Sequence, residues 1–380
     1  MTVAAATVRP DFMRIAARLA WRGTGGTAPN PRVGCVIVND EDEIVGWGYH
    51  RRCGEAHAEV HALRRAGQAA QGATAYVTLE PCNHTGRTGP CSQALIDAGI
   101  RRVVIARTDP NPEATGGMEL LRASGIQVDI DQSCHLAMHV AAPFAHRVQT
   151  GLPWVIAKWA QTIDGRIATR TGESQWISNA GSRRLTHRWR GQVDAILTGI
   201  GTVQADDPLL TARDVRTRRT AARIVVDPNL DVALDSQLVR TAHTTPTILA
   251  CHAACAATHA ESVNALRSAG VTVIPVDGTG SELDVRALLR TLHADHDVCD
   301  VLVDGGAGLL GRLFAQGCVN EARVFIAPKL LGDERALTAV RGLDHTSLTN
   351  ATTMHLHRLQ RRGDDVIATY GVGLSGSPTP

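Results

Sequence analysis

Two successive runs of alternating strand-length and helix-length segments are the feature that most constrains the fold of this chain. In the first run, an amphipathic helix over 11–22 precedes apolar stretches of strand length at 33–38, 75–79 and 102–106. Helical stretches at 57–66 and 91–98 lie between these strands. Strands that alternate with helices are typical of an α/β fold with a largely parallel sheet.

The alternation restarts after a helix at 135–147 and a short link at 149–153. Strand-length stretches follow at 154–159, 195–198, 223–227, 247–250, 271–276, 301–304, 322–327 and 366–370. No repeat joins the two halves, and 380 residues exceed the size at which a single core stops growing. We therefore expect two unrelated domains, at 1–149 and 150–374.

Composition limits the partners and the compartment of the protein. A formal charge of +2 and 3% aromatic residues oppose nucleic-acid binding, which needs a basic surface and aromatic platforms for bases. No signal peptide and no apolar run of about 18 residues is evident, so we expect a cytoplasmic protein with no membrane partner. Nine cysteines, an odd number in a long chain, do not form a secreted disulfide framework.

The sharpest local pattern is His57-Ala58-Glu59, followed by Pro81-Cys82 and then Cys91. One imidazole and two thiolates suit Zn²⁺, and three protein ligands leave the fourth position for a water whose pKa the metal lowers. Glu59 is expected to carry protons rather than to bind the metal. This arrangement is the signature of zinc nucleobase deaminases.

Two details of the pattern bear on other functions. Eight residues separate Cys82 from Cys91 where the general signature has two, and Gly86, Gly89 and Pro90 fit a loop there. A zinc protease motif on His57 and His61 is excluded, because it needs Glu directly after the first His. A second group of metal-type residues is expected to be structural, since it has no distant ligand pair: Cys251, His252, Cys255 and His259.

The second half has no evident metal cluster or nucleophile–base pair, which suits hydride transfer by a cofactor. Glycine-rich turns at 198–202 and 304–311 would let backbone N–H groups approach a pyrophosphate at a helix N-terminus. Gly306, Gly308 and Gly311 spell a dinucleotide-binding fingerprint, but it lies late in the domain and lacks the following acidic residue. A tight turn that packs a helix on a strand stays open as the alternative.

With these motifs the chain closely resembles the bifunctional riboflavin-biosynthesis deaminase–reductase family over nearly its whole length. The deaminase motifs lie at 29–36, 48–50, 57–60, 80–91 and 109–112, and the reductase motifs at 158, 162–166, 172–177, 198–202, 205–213 and 327–332. The long loop between Cys82 and Cys91 is a feature of this family. The chain departs from the family at Ala56, where Pro is usual, and at Asp304, where Glu is common.

The resemblance implies a cytidine-deaminase-like α/β/α sandwich followed by a dihydrofolate-reductase-like α/β domain. It implies that a phosphoribosylamino diaminopyrimidinone is deaminated with zinc, with Glu59 as general base and then general acid. It also implies that NADPH then reduces the ribosyl group to ribityl. The preference for NADPH over NADH rests on the resemblance alone.

The resemblance also implies site residues, position by position. The metal ligands are His57, Cys82 and Cys91. The substrate contacts of the first domain are Asn30, His50, His84, Arg87 and Asn111. The NADPH contacts are Ala160, Trp176, Thr202, Asp206, Gly306, Ala307, Gly308, Leu309, Leu310, Gly311 and Arg312. The substrate contacts of the second domain are Lys158, Ser174, Arg190, Leu210, Arg213 and Asp304.

Two other functions are kept as alternatives. One is a zinc deaminase that acts on nucleic acid, which the low net charge opposes. The other is a zinc deaminase whose second half is a non-catalytic scaffold, for which the change at Asp304 and the alanine-rich stretch at 241–260 are the arguments. We expect small-molecule phosphoribosyl pyrimidine substrates and a homo-oligomer, with no nucleic-acid partner.

Overall fold

The structure is a computed structural model that describes residues 11–84, 89–279 and 282–373. The chain divides into two compact units, Met1–Gly151 and Leu152–Pro380. Within the described residues, no helix has both the length and the apolar character that a membrane span requires.

The first unit is a five-stranded sheet with helices on both faces. Its strands are β1 (Gly34–Val38), β2 (Ile44–Tyr49), β3 (Thr74–Val77), β4 (Arg102–Ile105) and β5 (Gln127–Ile130), in the order β2-β1-β3-β4-β5. Its helices are α1 (Phe12–Ala20), α2 (Ala58–Ala66), α3 (Cys91–Asp97), α4 (Gly117–Ala123) and α5 (His135–Thr150). β3, β4 and β5 are parallel, whereas β1 pairs antiparallel with both β2 and β3.

Alternate residues of β1 bury themselves against opposite helical layers. Cys35 and Ile37 pack with the α2 alanines, whereas Val36 and Val38 pack with α1. All five residues of β1 are buried, as expected for a strand covered on both faces. The predicted α/β/α sandwich is therefore confirmed. α5 runs through Thr150 and ends at Gly151, where φ is +66°, so the expected link at 149–153 begins inside a helix.

The second unit is built on a nine-stranded sheet in the order β11-β10-β9-β8-β14-β6-β15-β18-β17. These strands are β6 (Trp154–Thr162), β8 (Ala195–Gly199), β9 (Ala222–Val226), β10 (Thr247–His252), β11 (Val271–Val276), β14 (Asp300–Val303), β15 (Glu321–Ala327), β17 (Met354–Arg362) and β18 (Asp365–Val372). Pairing is parallel from β11 to β15, and β18 and β17 complete the sheet antiparallel.

Two small two-stranded sheets and seven α-helices accompany this sheet in the described residues. The small sheets pair β7 (Arg166–Ala168) with β16 (Leu337–Thr338) and β12 (Gly278–Thr279) with β13 (Glu282–Leu283). The helices are α6 (Ala180–Arg190), α7 (Ile200–Asp206), α8 (Gln237–Arg240), α9 (Ala253–Thr258), α10 (Ala260–Ser268), α11 (Val285–His296) and α12 (Ala307–Ala315). The larger core lies between the sheet and α11 and α12.

A close backbone contact fixes α12 in this unit. A Cβ atom on Gly311 would lie 1.7 Å from the backbone oxygen of Arg341, so only glycine fits there. Gly308, one turn earlier in the same helix, has open space where its Cβ would be. The two glycines of one motif therefore have different structural demands.

We expect Gly311→Ala to destabilise the second unit by about 1–3 kcal/mol, because the added methyl group must displace the Arg341 backbone. Gly308→Ala makes the same chemical change in the same helix and should stabilise it by up to about 1 kcal/mol. Differential scanning calorimetry of the two variants measures both effects. Equal unfolding temperatures for the two variants would contradict this account of Gly311.

Candidate active sites

The first site forms where the sheet of the first unit meets the beginnings of two helices. His57 is the N-cap of α2 and Glu59 lies in the first turn of that helix. Cys82 follows β3, and Cys91 is the first residue of α3, directly after the N-cap Pro90. The chain passes Pro81 so closely that a Cβ on Gly117 would lie 1.8 Å from the Pro81 oxygen.

Three metal-type donors converge at this point. The ligand atoms of His57, Cys82 and Cys91 all lie within 4.8 Å of one another, and no other such group is present in the described part of the chain. His57 Nδ1 lies 3.3 Å from Cys91 Sγ and 3.6 Å from Cys82 Sγ. Zinc bonds of about 2.0 Å to nitrogen and about 2.3 Å to sulfur place tetrahedral ligands roughly 3.5 Å apart. The donor set therefore fits a zinc ion.

Glu59 is buried beside these donors. Its side chain is 3% exposed, and its Oε2 has no hydrogen-bond partner within the described residues. Burial raises the pKa of Glu59 to about 7. Hydrogen bonds from Cys91 and His57 lower the pKa of Cys82 to about 4, and the hydrogen bond to Cys82 raises the pKa of His57. The site thus combines two cysteine thiols, an imidazole and a buried carboxyl group of which one oxygen lacks a partner among the described residues.

A cavity of about 160 Å³ opens in front of the donors. Four of the five residues expected to contact substrate line it: Asn30, His50, His84 and Asn111. Asn30 Nδ2 lies 3.4 Å from His50 Nε2, and His50 Nδ1 lies 3.3 Å from the Ala56 oxygen. The fifth expected residue, Arg87, lies outside the described residues.

Two buried carboxyl groups of this cavity, Glu80 and Asp109, were given no role by the sequence. Glu80 accepts hydrogen bonds from the backbone N–H groups of Asp109 and Met118, each at 3.1 Å. Asp109 in turn accepts from the Asn111 N–H at 2.8 Å. Glu80 follows β3 and Asp109 follows β4, and these two strands are parallel neighbours. The carboxyl ends of such strands meet at one edge of a sheet, so the position of both residues just after a strand is the sequence signal that could have identified them.

The second site is a cavity of about 1050 Å³ at the carboxyl ends of β8 and β14. All six residues expected to contact the second substrate line it: Lys158, Ser174, Arg190, Leu210, Arg213 and Asp304. Nine of the eleven residues expected to contact NADPH also line it: Ala160, Trp176, Thr202, Asp206, Gly306, Ala307, Gly308, Leu309 and Arg312.

The other two expected NADPH residues, Leu310 and Gly311, do not line the cavity. Leu310 is fully buried in the core and Gly311 packs against the Arg341 backbone. The prediction extended a loop motif into α12, whose helical turn directs these two positions away from the cavity. Gly311 therefore serves the close packing of α12 against the Arg341 backbone, which lies outside the strands and so differs from the helix-on-strand turn of the alternative interpretation.

The polar centre of the second cavity is an ion-paired carboxylate. Asp304 Oδ1 lies 3.1 Å from Lys158 Nζ, and Asp304 Oδ2 lies 2.5 Å from Arg190 Nη2. Burial favours the neutral acid, but Lys158 and Arg190 together hold the pKa of Asp304 well below its usual range. The Thr198 hydroxyl donates to the Asp304 backbone oxygen at 2.9 Å and ties this group to the end of β8.

Comparisons with known proteins cover both units. Residues 7–107 match the family model of the cytidine and deoxycytidylate deaminase zinc-binding region, and residues 153–368 match the RibD C-terminal domain. The riboflavin biosynthesis protein RibD of Escherichia coli (strain K12) is 41% identical over 369 residues, covering 93% of this chain and 97% of the relative. RibD of Aquifex aeolicus is 38% identical over 361 residues, covering 95% and 97%. The chain belongs to the RibD family.

Solved structures of RibD proteins agree with this membership. Acinetobacter baumannii RibD has a TM-score of 0.79 at 35% identity, covering 95% of this chain and 98% of that one. A Thermotoga maritima diaminohydroxyphosphoribosylaminopyrimidine deaminase/5-amino-6-(5-phosphoribosylamino)uracil reductase has a TM-score of 0.79 at 29% identity, covering 95% and 97%. The predicted family and the predicted fold of both halves are confirmed.

As a RibD protein, the chain is a bifunctional enzyme of riboflavin biosynthesis, with a zinc-dependent deaminase and an NADPH-dependent reductase. The similarity extends through the reductase half at high coverage. It therefore does not favour the alternative in which that half is a non-catalytic scaffold.

The cysteines and histidines at 251–259 belong to no group of three possible metal ligands among the described residues. Within this stretch, Cys255 Sγ lies 3.5 Å from His259 Nδ1.

We expect Cys91→Ser to reduce bound zinc from about one ion per chain to background, because a serine hydroxyl does not replace a thiolate ligand. Mass-spectrometric metal analysis of protein from metal-replete cells measures this. Cys134→Ser is the matched control, since Cys134 lies in the same unit and outside the donor group. Full zinc occupancy in Cys91→Ser would rule out Cys91 as a ligand.

Proposed function

We propose that residues 1–149 deaminate 2,5-diamino-6-(5-phosphoribosylamino)pyrimidin-4(3H)-one and that residues 150–374 reduce the product with NADPH. The observation that carries the proposal is the convergence of His57, Cys82 and Cys91 beside the buried carboxylate of Glu59. The ion-paired Asp304 in the second cavity gives separate support to the second activity.

His57, Cys82 and Cys91 are proposed to hold the zinc ion of the deaminase. Zinc, when bound, supplies Lewis acidity that activates a water at neutral pH. Glu59 takes a proton from the attacking water and delivers it to the ring nitrogen. The same carboxyl group then moves the second proton of that water from the new hydroxyl on the ring carbon to the amine, so that the C–N bond breaks, ammonia leaves and a carbonyl forms. Burial of Glu59 keeps competing water away from these transfers.

Recognition of the first substrate is assigned to the polar residues that line the smaller cavity. Asn30 and Asn111 can read the edge of the pyrimidine through their amide groups, and His50 and His84 can do so through their ring nitrogens. The contact between His50 Nδ1 and the Ala56 oxygen orients the His50 ring so that Nε2 points towards Asn30. Arg87 is proposed to pair with the substrate phosphate.

The larger cavity is assigned to NADPH and the deaminated pyrimidine. NADPH supplies a hydride when bound, and the ribosyl group opens to its imine form before reduction to ribityl. Asp304 holds Lys158 near the ribose and orients Arg190. Arg190 and Arg213 are proposed to pair with the substrate phosphate. The backbone of the turn before α12, with Gly306 as N-cap, is proposed to receive the pyrophosphate of NADPH.

The remaining proposals concern the cellular compartment and the oligomeric state of the protein. We place the enzyme in the cytoplasm, which the cysteines support, because none of the nine is in a disulfide and such cysteines are typical of a reducing compartment. We also propose a homo-oligomer, which sedimentation equilibrium of the purified protein tests directly.

We expect Glu59→Gln to slow ammonia release at least about 100-fold, because the amide cannot carry the protons that Glu59 transfers. Reduction of added deaminated product should stay within twofold of wild type, since that reaction uses the other unit. Ammonia release and NADPH oxidation are assayed separately on the same preparation. Glu119→Gln makes the same change at an exposed position of α4 and should leave both rates unchanged. Normal ammonia release by Glu59→Gln would remove Glu59 from the mechanism.

We expect Asp304→Asn to lower kcat/KM for the reduction at least about 30-fold, equivalent to about 2 kcal/mol, because it leaves two largely buried cations without their carboxylate. Ammonia release should not change. The matched control is Asp364→Asn, whose carboxylate pairs with Arg361 while both side chains are more than four-fifths exposed, at 82% and 81%. An Asp304→Asn enzyme that reduces as well as the control would refute the role of this ion pair.

A further inference from the structure

A buried cation in the second unit has no part in the sites described above. Arg223 lies on β9 with its side chain fully buried, and it is among the largest fully buried side chains of the described residues. No carboxylate within the described chain forms an ion pair with it, and burial lowers the pKa of its guanidinium to about 10. At neutral pH the group therefore stays charged in an environment without a counter-ion.

Oxygen atoms of three separate segments surround this guanidinium. Nη1 donates to the Leu209 oxygen at 3.3 Å and to Thr241 Oγ1 at 2.7 Å. Nη2 donates to the backbone oxygens of Leu238 and Thr245, at 3.0 and 3.1 Å. Nη2 and Nε both reach Thr247 Oγ1. An apolar residue at position 223 would have a lower desolvation cost, but it could not donate hydrogen bonds to the backbone oxygens of different segments.

One of these segments forms a wall of the reductase cavity. Leu209 begins a stretch that includes Leu210 and Arg213, and all three residues line the cavity. Leu210 has a φ of +50° although it is not glycine, so the backbone here is held in an uncommon conformation. Arg223 contacts this stretch at its first residue and is not itself among the residues that line the cavity.

The middle of the same segment is tied to the catalytic ion pair. The Thr211 oxygen accepts from Arg190 Nη1 at 3.3 Å, and Arg190 is the partner of Asp304. His187 Nδ1 lies 3.1 Å from the same oxygen and 3.3 Å from the Arg213 nitrogen, so it can donate to the former or accept from the latter. Residues 209–213 are thus held at one end by Arg223 and at the other by α6.

We propose that Arg223 is a positioning residue of the reductase, which sets the placement of residues 209–213 and thereby the affinity for the phosphoribosyl pyrimidine. The inference rests on the proposed assignment of Arg213 and Leu210 to that substrate. Arg223 does not touch the substrate, so its effect is on KM for the pyrimidine rather than on hydride transfer. We expect the KM for NADPH to change little, because Arg223 makes no contact, within the described residues, with the turn before α12 that is assigned to the pyrophosphate.

The test compares Arg223→Lys with Thr247→Val in the full-length enzyme. Lysine keeps the charge but cannot reach Leu209, Leu238 and Thr245 together. Thr247→Val removes an acceptor of Arg223 and leaves the contact with Leu209 intact. We expect Arg223→Lys to raise KM for the deaminated pyrimidine about tenfold, with kcat and the KM for NADPH within twofold. Thr247→Val should lower the unfolding temperature without changing any KM.

A purely structural role predicts a different result, in which both variants lose thermal stability and keep the wild-type KM; that result would overturn the inference. Ammonia release by the other unit of the same chain reports whether the preparation is intact. If Arg223→Lys does not fold, Thr241→Val replaces it in the test, because it removes one hydrogen-bond acceptor of Arg223 Nη1 and keeps the arginine. A KM unchanged in Thr241→Val, as in Thr247→Val, then counts against the proposal.

Arg213→Gln separates this inference from the assignment on which it rests. If Arg213→Gln raises KM for the pyrimidine and Arg223→Lys does not, the substrate assignment stands and the positioning role fails. If neither variant changes this KM, the segment is not part of the substrate site and both fail.

Discussion

Burial removes a carboxyl group from water, and the way in which each site offsets that desolvation cost organises both sites of the protein. In the second unit the chain supplies the cations itself, because Lys158 and Arg190 flank Asp304. In the first unit the Oε2 atom of Glu59 has no protein partner among the described residues, and three donors suited to a divalent cation lie beside it. The reductase site therefore balances its charges with its own side chains, whereas in the deaminase site burial raises the pKa of Glu59 to about 7 beside a donor set that fits zinc.

The sequence predicts the buried strands of this fold well and the exposed ones poorly. β1 and β14 are short apolar runs covered on both faces, and such runs are recognisable without any alternation. β17 was missed because its sequence, MHLHRLQRR, is polar and mostly exposed, and it lies at the edge of the sheet. β2 was missed because Gly46 and Gly48 interrupt it. These glycines are required by the close approach of α2, where a Cβ would lie 2.4 and 2.2 Å from backbone oxygens.

The site was predictable to the extent that residue type alone identifies a role. A histidine, two cysteines and a carboxylate at characteristic spacing are sufficient to indicate a metal site from the amino-acid sequence. Leu310 and Gly311 could not be separated from Gly306 and Gly308 in this way, because the direction of each side chain is set by where α12 begins. Asp109 carried no distinctive spacing, and only the pairing of β3 with β4 brings it next to Glu80.

Two departures from the family pattern have local explanations. His50 contacts the backbone oxygen of Ala56, and this contact does not depend on the side chain at position 56. Asp304 is shorter than the glutamate common in the family, yet each of its two oxygens is within ion-pair distance of a different cation. Because the Thr198 hydroxyl also fixes the Asp304 backbone, the carboxylate is held at one position in the cavity. The substitution therefore shortens the carboxylate without breaking either ion pair, and it gives no structural reason to regard the second unit as inactive.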